Sequence, residues 1–214
     1  GFVEILGNNW NCTYRYNISI NDGARIKGEN RAFQEGKILW LSSFSGKDAE
    51  RKGPYNNYVY NNTIFVKEGI INKFSVAPTT EGVLIANNIF HLMDESKNVS
   101  GDQFWNKKKR AQALKPSKDI VFKNNLYNRT TTLPADFEIQ DSAKIIGDVQ
   151  YKNPGSRDAS SCIPMNTDLV VDKGIEIQQL PNDPVGIMGG LKMETDFFGN
   201  PISGLPDMGA IEIQ

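Results

Sequence analysis

Cysteine and histidine are scarce in this chain of 214 residues, and neither positive nor negative residues are in excess. Two cysteines, Cys12 and Cys162, are too few for a small secreted domain stapled by disulfides. With a single histidine, His91, no Cys/His cluster has the spacing of a zinc site. We expect the cysteines to be buried free thiols, while one bridge between them stays open as an alternative.

Lysine and arginine number 24 against 25 aspartates and glutamates, so the formal net charge is −1. A chain without an excess of basic residues is not typical of nucleic-acid-binding proteins, and we predict no nucleic-acid partner. No apolar run approaches the roughly 18–20 residues that span a bilayer, so we predict no membrane span. Residues 1–9 contain no charged-then-apolar leader and look like the inside of a repeat, which predicts that further repeats precede them.

A short phrase returns four times along the chain, each time as a strand-like run, an asparagine turn and an apolar pair. Its register marks are Asn17, Asn62, Asn88 and Asn125, at intervals of 45, 26 and 37 residues. Self-similarity of this kind is typical of stacked repeats, in which longer intervals hold insertions in loops on one face. The shortest interval is close to one coil of a parallel β-solenoid.

Asparagine suits the sharp turn between two sheets of such a coil. It tolerates left-handed backbone conformations and bonds its own nearby backbone. Stacked at equal positions in successive coils, asparagine amides can also bond one another in a ladder. The chain has 22 asparagines, many of them at the repeats. We therefore predict an all-β parallel solenoid, the alternative being a loop-rich β protein with polar turns.

The pattern divides the chain into two parts of one domain. Residues 1–135 are predicted as solenoid coils, interrupted near 100–115 by a run of good helix formers that ends before Pro116. Residues 136–214 alternate short strand-like fragments with Pro/Gly turns, and we predict the last coils and an irregular C-terminal cap there. A solenoid needs an atypical last unit because its open end exposes apolar core.

Two sequence features carry a resemblance to a known group. The tail reads Asp-Phe-Phe-Gly-Asn-Pro at 196–201 and Pro-Asp-Met-Gly-Ala-Ile-Glu at 206–212, and coil phrases stand at 16–23 and 61–64. These resemble the C-terminal signature and coils of right-handed parallel β-helix proteins related to pectate lyases, chondroitinases and alginate lyases. The resemblance implies a right-handed parallel β-helix with an irregular cap, a bacterial polysaccharide-acting protein, and a secreted, periplasmic or cell-surface location.

Elimination at a uronate requires a base, a cation that neutralises the carboxylate, and an acid for the leaving oxygen. In the polar cluster around the first coil, Arg25 and Lys27 are candidates for the cation and the base, and Tyr16 for the acid. Asp22 completes the predicted catalytic set, and the predicted substrate-binding residues are Arg15, Asn21 and His91. No metal ligand is nominated, although calcium could replace a cationic residue given several convergent carboxylates. The alternative is that Asp22-Gly23 is a turn and that Arg25 and Lys27 are solvated.

The leading hypothesis is a lyase-like enzyme whose partner is an acidic polysaccharide. The sequence is also similar to β-helical polygalacturonases around residues 21–27, but their aspartate pair and glycine-flanked histidine are missing, so a hydrolase is less favoured. Further alternatives are a noncatalytic glycan-binding or surface-structural β-helix, or the C-terminal fragment of a larger enzyme. The oligomeric state is left open.

Overall fold

The protein is described here from a computed structural model, which covers residues 1–24, 35–99, 117–186 and 190–214. The described residues form thirteen β-strands and two short 3₁₀ helices, Ala159–Cys162 and Thr167–Leu169. The strands are β1 (Val3–Leu6), β2 (Thr13–Arg15), β3 (Ile18–Ile20), β4 (Lys37–Ser42), β5 (Tyr55–Tyr60), β6 (Thr63–Val66), β7 (Asn72–Val76), β8 (Glu81–Ala86), β9 (Ile89–Leu92), β10 (Ser96–Asn98), β11 (Lys118–Lys123), β12 (Leu126–Tyr127) and β13 (Ile145–Ile146).

The strands pair into three sheets, and every pairing between strands is parallel. Sheet A has the order β1-β4-β7-β10, sheet B the order β2-β5-β8-β11, and sheet C the order β3-β6-β9-β12-β13. The chain thus visits sheets A, B and C in the same order four times, which fits a parallel β-solenoid. The predicted all-β class with parallel sheets is confirmed, and the helix predicted near 100–115 lies outside the described residues.

The asparagine register predicted from the sequence is confirmed at the turn between sheets B and C. The residue that follows each of the four asparagines pairs with its counterpart in the next strand of sheet C. These residues are Ile18, Thr63, Ile89 and Leu126. Each amide Nδ2 donates to the Oδ1 of the next coil, at 2.9 Å from Asn17 to Asn62, 2.8 Å from Asn62 to Asn88 and 2.9 Å from Asn88 to Asn125. The predicted ladder therefore exists.

The ladder ends on Asp141, a residue that can only accept hydrogen bonds when ionised. Asp141 Oδ2 accepts from the side chain of Asn125 at 2.8 Å and from the Tyr127 hydroxyl at 3.0 Å. Its two oxygens also accept from the backbone N–H groups of Asn124 and Asn125, both at 2.9 Å. An acceptor-only side chain suits this place because the last amide of the ladder still has a donor to satisfy.

The residue before each ladder position adopts a left-handed backbone conformation. The φ angles are 51° at Tyr16, 48° at Asn61, 55° at Asn87 and 57° at Asn124. Asparagine adopts this conformation more readily than most residues, which explains its presence in three of the four coils. In the first coil the same turn is made by a tyrosine, and this places a phenol where the other coils carry an amide.

Side chains from all three sheets meet in one apolar core. Members from each sheet include Leu41, Val59 and Ile64, each at most 1% exposed. Alternate residues of a strand point to opposite faces, so the remaining residues of each strand face outward. Beyond the last full coil, Phe137 packs against Phe74 and Phe122, with ring centroids 5.9 Å and 5.6 Å apart.

The C-terminal segment, which the structure describes over residues 147–186 and 190–214, lies along the outer faces of sheets B and C. On sheet C, Met208 packs in one cluster with Ile89 and Leu126. On sheet B, Asp183 reaches back to the first coils, where its carboxylate accepts from the Tyr58 hydroxyl at 2.7 Å. The segment therefore covers the sides of the stack, while the division of the chain near residue 135 stays a prediction.

Candidate functional site

A cavity of about 170 Å³ lies between the outer face of sheet B and the C-terminal segment. Sheet B contributes Tyr60, the last residue of β5, and the turn after β2 contributes Tyr16. The opposite wall comes from the C-terminal segment, and its lining includes Glu176, Ile177, Leu191, Lys192 and Met193. The wall is largely apolar, with a few charged and phenolic groups at its rim.

Arg15 and Tyr60 form the polar corner next to this cavity. Arg15 Nη1 donates to the Tyr60 hydroxyl at 2.8 Å and to the backbone carbonyl of Gly190 at 2.8 Å. The Tyr60 hydroxyl in turn donates to the carbonyl of Leu191 at 2.8 Å. Burial raises the pKa of Tyr60, and the adjacent guanidinium partly offsets this effect. The corner therefore holds a fixed cation beside a neutral phenol.

Tyr16 is the second phenol of the site. It is 9% exposed, and its ring lies edge-on to that of Tyr60 with centroids 6.5 Å apart. Burial raises the pKa of Tyr16 well above its usual range, and the negative charge of Glu212 raises it further. A phenol in this environment stays protonated at neutral pH, so Tyr16 can donate a hydrogen bond or a proton to a ligand in the cavity.

Buried carboxyl groups from the tail lie near Tyr16. Burial raises the pKa of Glu212 to about 7, and the neighbouring carboxylates of Asp207 and Asp196 raise it as well. Glu212 Oε1 accepts from the backbone N–H of Asp207 at 2.9 Å, and the Glu212 N–H donates to Asp196 Oδ2 at 2.9 Å. These contacts stabilise the tail motif of 196–212, and they place a carboxyl that titrates near neutrality next to a neutral phenol.

Two of the predicted site residues lie at or beside the cavity, and three of the described ones do not. Tyr16 lines the cavity and Arg15 lies beside it through Tyr60, whereas Asn21 and Asp22 follow the opposite end of β3. The three residues of β3 separate the Tyr16 turn from Asn21, roughly 10 Å at about 3.3 Å per residue. There the Ser19 hydroxyl donates to Asp22 Oδ2 at 2.7 Å, and Asn21 Oδ1 accepts from the Lys67 N–H at 2.9 Å. Both side chains make turn contacts, while Arg25 and Lys27 lie outside the described residues.

His91 lies on the outer face of sheet C, in the third coil. Its ring stacks on Phe65 with centroids 5.0 Å apart and meets the edge of Tyr151 at 5.5 Å. Asp148 Oδ1 is 3.8 Å from His91 Nδ1, and burial lowers the pKa of the imidazole. These contacts are those of a residue packed under the C-terminal segment, away from the predicted first-coil site.

Sequence reasoning missed Tyr60, Lys192 and Glu212. Tyr60 could have been found, because it stands 45 residues after Arg15, the interval that separates Asn17 from Asn62. The other two reach the site through long-range packing of the tail, which no local pattern signals. Within the described ranges, no group of three or more His, Cys, Asp and Glu side chains is placed to hold a metal ion.

No protein-family model matches the chain. A distant likeness does exist to a protein named Lacto-N-biosidase from Bifidobacterium longum subsp. longum, which is 24% identical over 233 aligned positions. The alignment covers 99% of this chain and 12% of that protein, so the chain spans about an eighth of the relative's length. In the parts of the chain that the structure describes, no helix is long and apolar enough to cross a membrane.

Proposed function

We propose that this chain is part of an extracytoplasmic, glycan-acting protein built on a right-handed parallel β-helix of the pectate lyase-like type. The fourfold visit to three parallel sheets supports the β-helix, and connections between parallel strands of one sheet are right-handed in nearly all proteins. The likeness to a protein whose name denotes a glycan-acting enzyme extends over almost the whole chain.

The observation that carries the chemical proposal is that Tyr16 and Tyr60 line one cavity and that Arg15 bonds to the Tyr60 hydroxyl beside it. In a lyase acting on acidic polysaccharide, Arg15 would bind the uronate carboxylate and stabilise the charge that develops there. Tyr16, kept neutral by burial, would protonate the leaving glycosidic oxygen. The predicted candidates for the base, Arg25 and Lys27, lie outside the described residues.

The size of the cavity bears on the mode of action. At about 170 Å³ it is smaller than the roughly 300–1,000 Å³ of typical ligand pockets. A second cavity of about 310 Å³ shares the lining residues Ile175, Glu176 and Ile177 with it. We therefore propose that the two cavities together accommodate more than one sugar residue.

Elimination is tested by the absorbance near 235 nm of the unsaturated product, during incubation with uronans and glycosaminoglycans, with and without calcium. Tyr16→Phe removes the proposed acid and should lower the rate by about 10²-fold or more. Tyr14→Phe is the matched control, because Tyr14 lies on β2, two residues before Tyr16, and packs toward Phe2 and the core. An equal effect of both substitutions would contradict the assignment of Tyr16.

Hydrolysis is the second candidate, because the relative's name denotes a glycosidase and because the carboxylate of Glu176 lines the cavity. Measuring new reducing ends on the same glycans, and on glycans that contain lacto-N-biose, separates the two reactions. If new reducing ends form without absorbance at 235 nm, the protein is a hydrolase and not a lyase. Glycan binding without either product would favour the noncatalytic alternative.

A further inference from the structure

An exposed aromatic pair lies at the turn between sheets A and B, apart from the cavity. Trp10 is 55% exposed, more than any other aromatic side chain among the described residues. Its ring stacks on Tyr55 of the next coil, with centroids 4.2 Å apart and an angle of 24° between the ring planes. Because the rings are stacked, each covers one face of the other, and the indole turns its other face to solvent, which is costly unless something covers it.

The pair is held in place by the backbone of two adjacent coils. Trp10 and Tyr55 form a parallel β-bridge. The Tyr55 N–H donates to the carbonyl of Asn9 at 2.9 Å, and the Asn11 N–H donates to the carbonyl of Tyr55 at 3.1 Å. The indole Nε1 donates to Asn8 Oδ1 at 3.4 Å, which fixes the ring about its side-chain torsions. A platform fixed in advance loses little conformational entropy when it binds a ligand.

Three asparagines flank Trp10 in the sequence, namely Asn8, Asn9 and Asn11. Asn8 and Asn9 are exposed next to Trp10, and Asn11 is anchored by its Nδ2 at 3.1 Å and 3.2 Å from the two carboxylate oxygens of Asp183. A flat aromatic face with amides at its edge matches a pyranose ring, whose C–H groups cover an aromatic ring while its hydroxyls bond to the rim. Small-molecule sites in general combine a largely apolar surface with a small number of polar groups, as the surface around Trp10 does.

The other exposed aromatic pair of the described residues does not share this geometry. Phe197 and Phe198 meet edge to face, with ring planes at 88°, so they offer no continuous flat surface. They are 44% and 45% exposed, close to Trp10 in exposure. Phe198 is therefore a control for the general effect of an exposed aromatic ring.

We propose that Trp10 and Tyr55 form a glycan-binding platform that takes an uncharged hexopyranose unit of the glycan. The inference rests on the proposed glycan-acting function and adds a second contact point to it. Along β5, Tyr55 and Tyr60 are five residues apart, roughly 16 Å at about 3.3 Å per residue. Between them Tyr58 is fully buried under the C-terminal segment, so the platform and the cavity are two separate contact points on the protein.

The test is isothermal titration of the whole chain with defined neutral oligosaccharides, one with β-linked N-acetylglucosamine and one with lacto-N-biose, beside an oligouronate. Loss of an aromatic stacking partner corresponds to about a tenfold weaker Kd, so Trp10→Ala should weaken binding of a neutral oligosaccharide by about that factor. Trp10→Phe keeps a smaller ring and should weaken it by only about two- to threefold. Phe198→Ala should leave the Kd unchanged.

Circular dichroism and the urea midpoint of each variant show whether the fold is retained. Saturation-transfer NMR from the aromatic protons of the intact protein gives a second measurement that needs no substitution, and the transfer should fall on the C–H face of the sugar. Glycan binding that survives Trp10→Ala with its Kd unchanged overturns the platform and leaves the proposed function standing. If no glycan binds the unsubstituted chain, both the platform and the proposed function are wrong.

Discussion

Replacing Asn88 by alanine removes a central amide of the asparagine ladder. Asn88 is fully buried. Its Oδ1 accepts from the N–H and the side chain of Asn62 at 3.0 Å and 2.8 Å. Its Nδ2 donates to the carbonyl of Val59 at 3.0 Å and to Asn125 Oδ1 at 2.9 Å. Alanine at this position therefore removes contacts to both neighbouring coils at once.

The expected cost follows from these bonds. An ordinary hydrogen bond contributes about 0.5–1.5 kcal/mol net, and a buried donor left without a partner costs about 1–3 kcal/mol. Asn62 keeps side-chain bonds to the carbonyls of Tyr14 and Tyr60, but its backbone N–H loses the acceptor it has here. We expect Asn88→Ala to lower the free energy of unfolding by about 4 kcal/mol, a large share of the roughly 5–15 kcal/mol of a typical domain.

Urea unfolding followed by circular dichroism measures this difference, and a thermal scan should show the midpoint lowered by about 8–16 °C. The matched control is Asn17→Ala at the exposed end of the ladder, where the lost side-chain bond is the one to Asn62 Oδ1. That substitution should cost about 1 kcal/mol or less. If Asn88→Ala costs no more than Asn17→Ala, the ladder does not stabilise the stack and the reasoning fails.

Three further predictions concern pH and backbone conformation. The pKa of Glu212 is raised in the folded state to about 7. Its contribution to stability is therefore full below its unfolded pKa of about 4.3 and is lost as the pH rises toward about 7. Glu212→Gln should remove this decline from the urea midpoints measured between about pH 4.5 and pH 8. The pKa of His91 is lowered in the folded state by burial. Its contribution to stability is therefore full above its unfolded pKa of about 6.5 and falls as the pH drops below that value. His91→Gln should flatten the acid side of the same profile of urea midpoints, and an unchanged profile would contradict the burial of the ring. Gly209 has a φ of +84°, and a Cβ at this position would lie 2.5 Å from Thr63 Oγ1. Gly209→Ala should therefore lower the free energy of unfolding by about 2–4 kcal/mol. Gly199 has a φ of +85° with open space around it, so Gly199→Ala should lower it by only about 1 kcal/mol, and equal losses would refute the steric argument.

Much of the coil register was predictable because its signals are local. Each turn between sheets B and C requires a left-handed residue and an amide, and both requirements are met within two adjacent positions such as Asn87 and Asn88. Equal positions then stack, so the intervals between asparagines predict which strands pair. The first coil shows the limit of this signal, because Tyr16 makes the same turn without an asparagine.

The candidate site was predictable only in part. Arg15 and Tyr16 were nominated from their place beside a repeat, and the structure brings them together at a cavity. Asp22 was nominated as catalytic, and in the structure its carboxylate accepts from Ser19, three residues earlier. His91 was nominated for substrate binding, and the structure places it between the rings of Phe65 and Tyr151.

The sequence by itself determined the all-β class, the parallel stacking of coils and the ladder position, because turn chemistry and strand alternation act between near neighbours. Only the tertiary structure decided that the C-terminal segment lies along sheets B and C and closes the cavity beside Arg15 and Tyr16. Its contacts, such as Gly190 with Arg15 and Asp183 with Tyr58, join residues more than 120 positions apart. Such contacts depend on loop lengths and on which outer faces remain to be covered, and neither has a local sequence pattern.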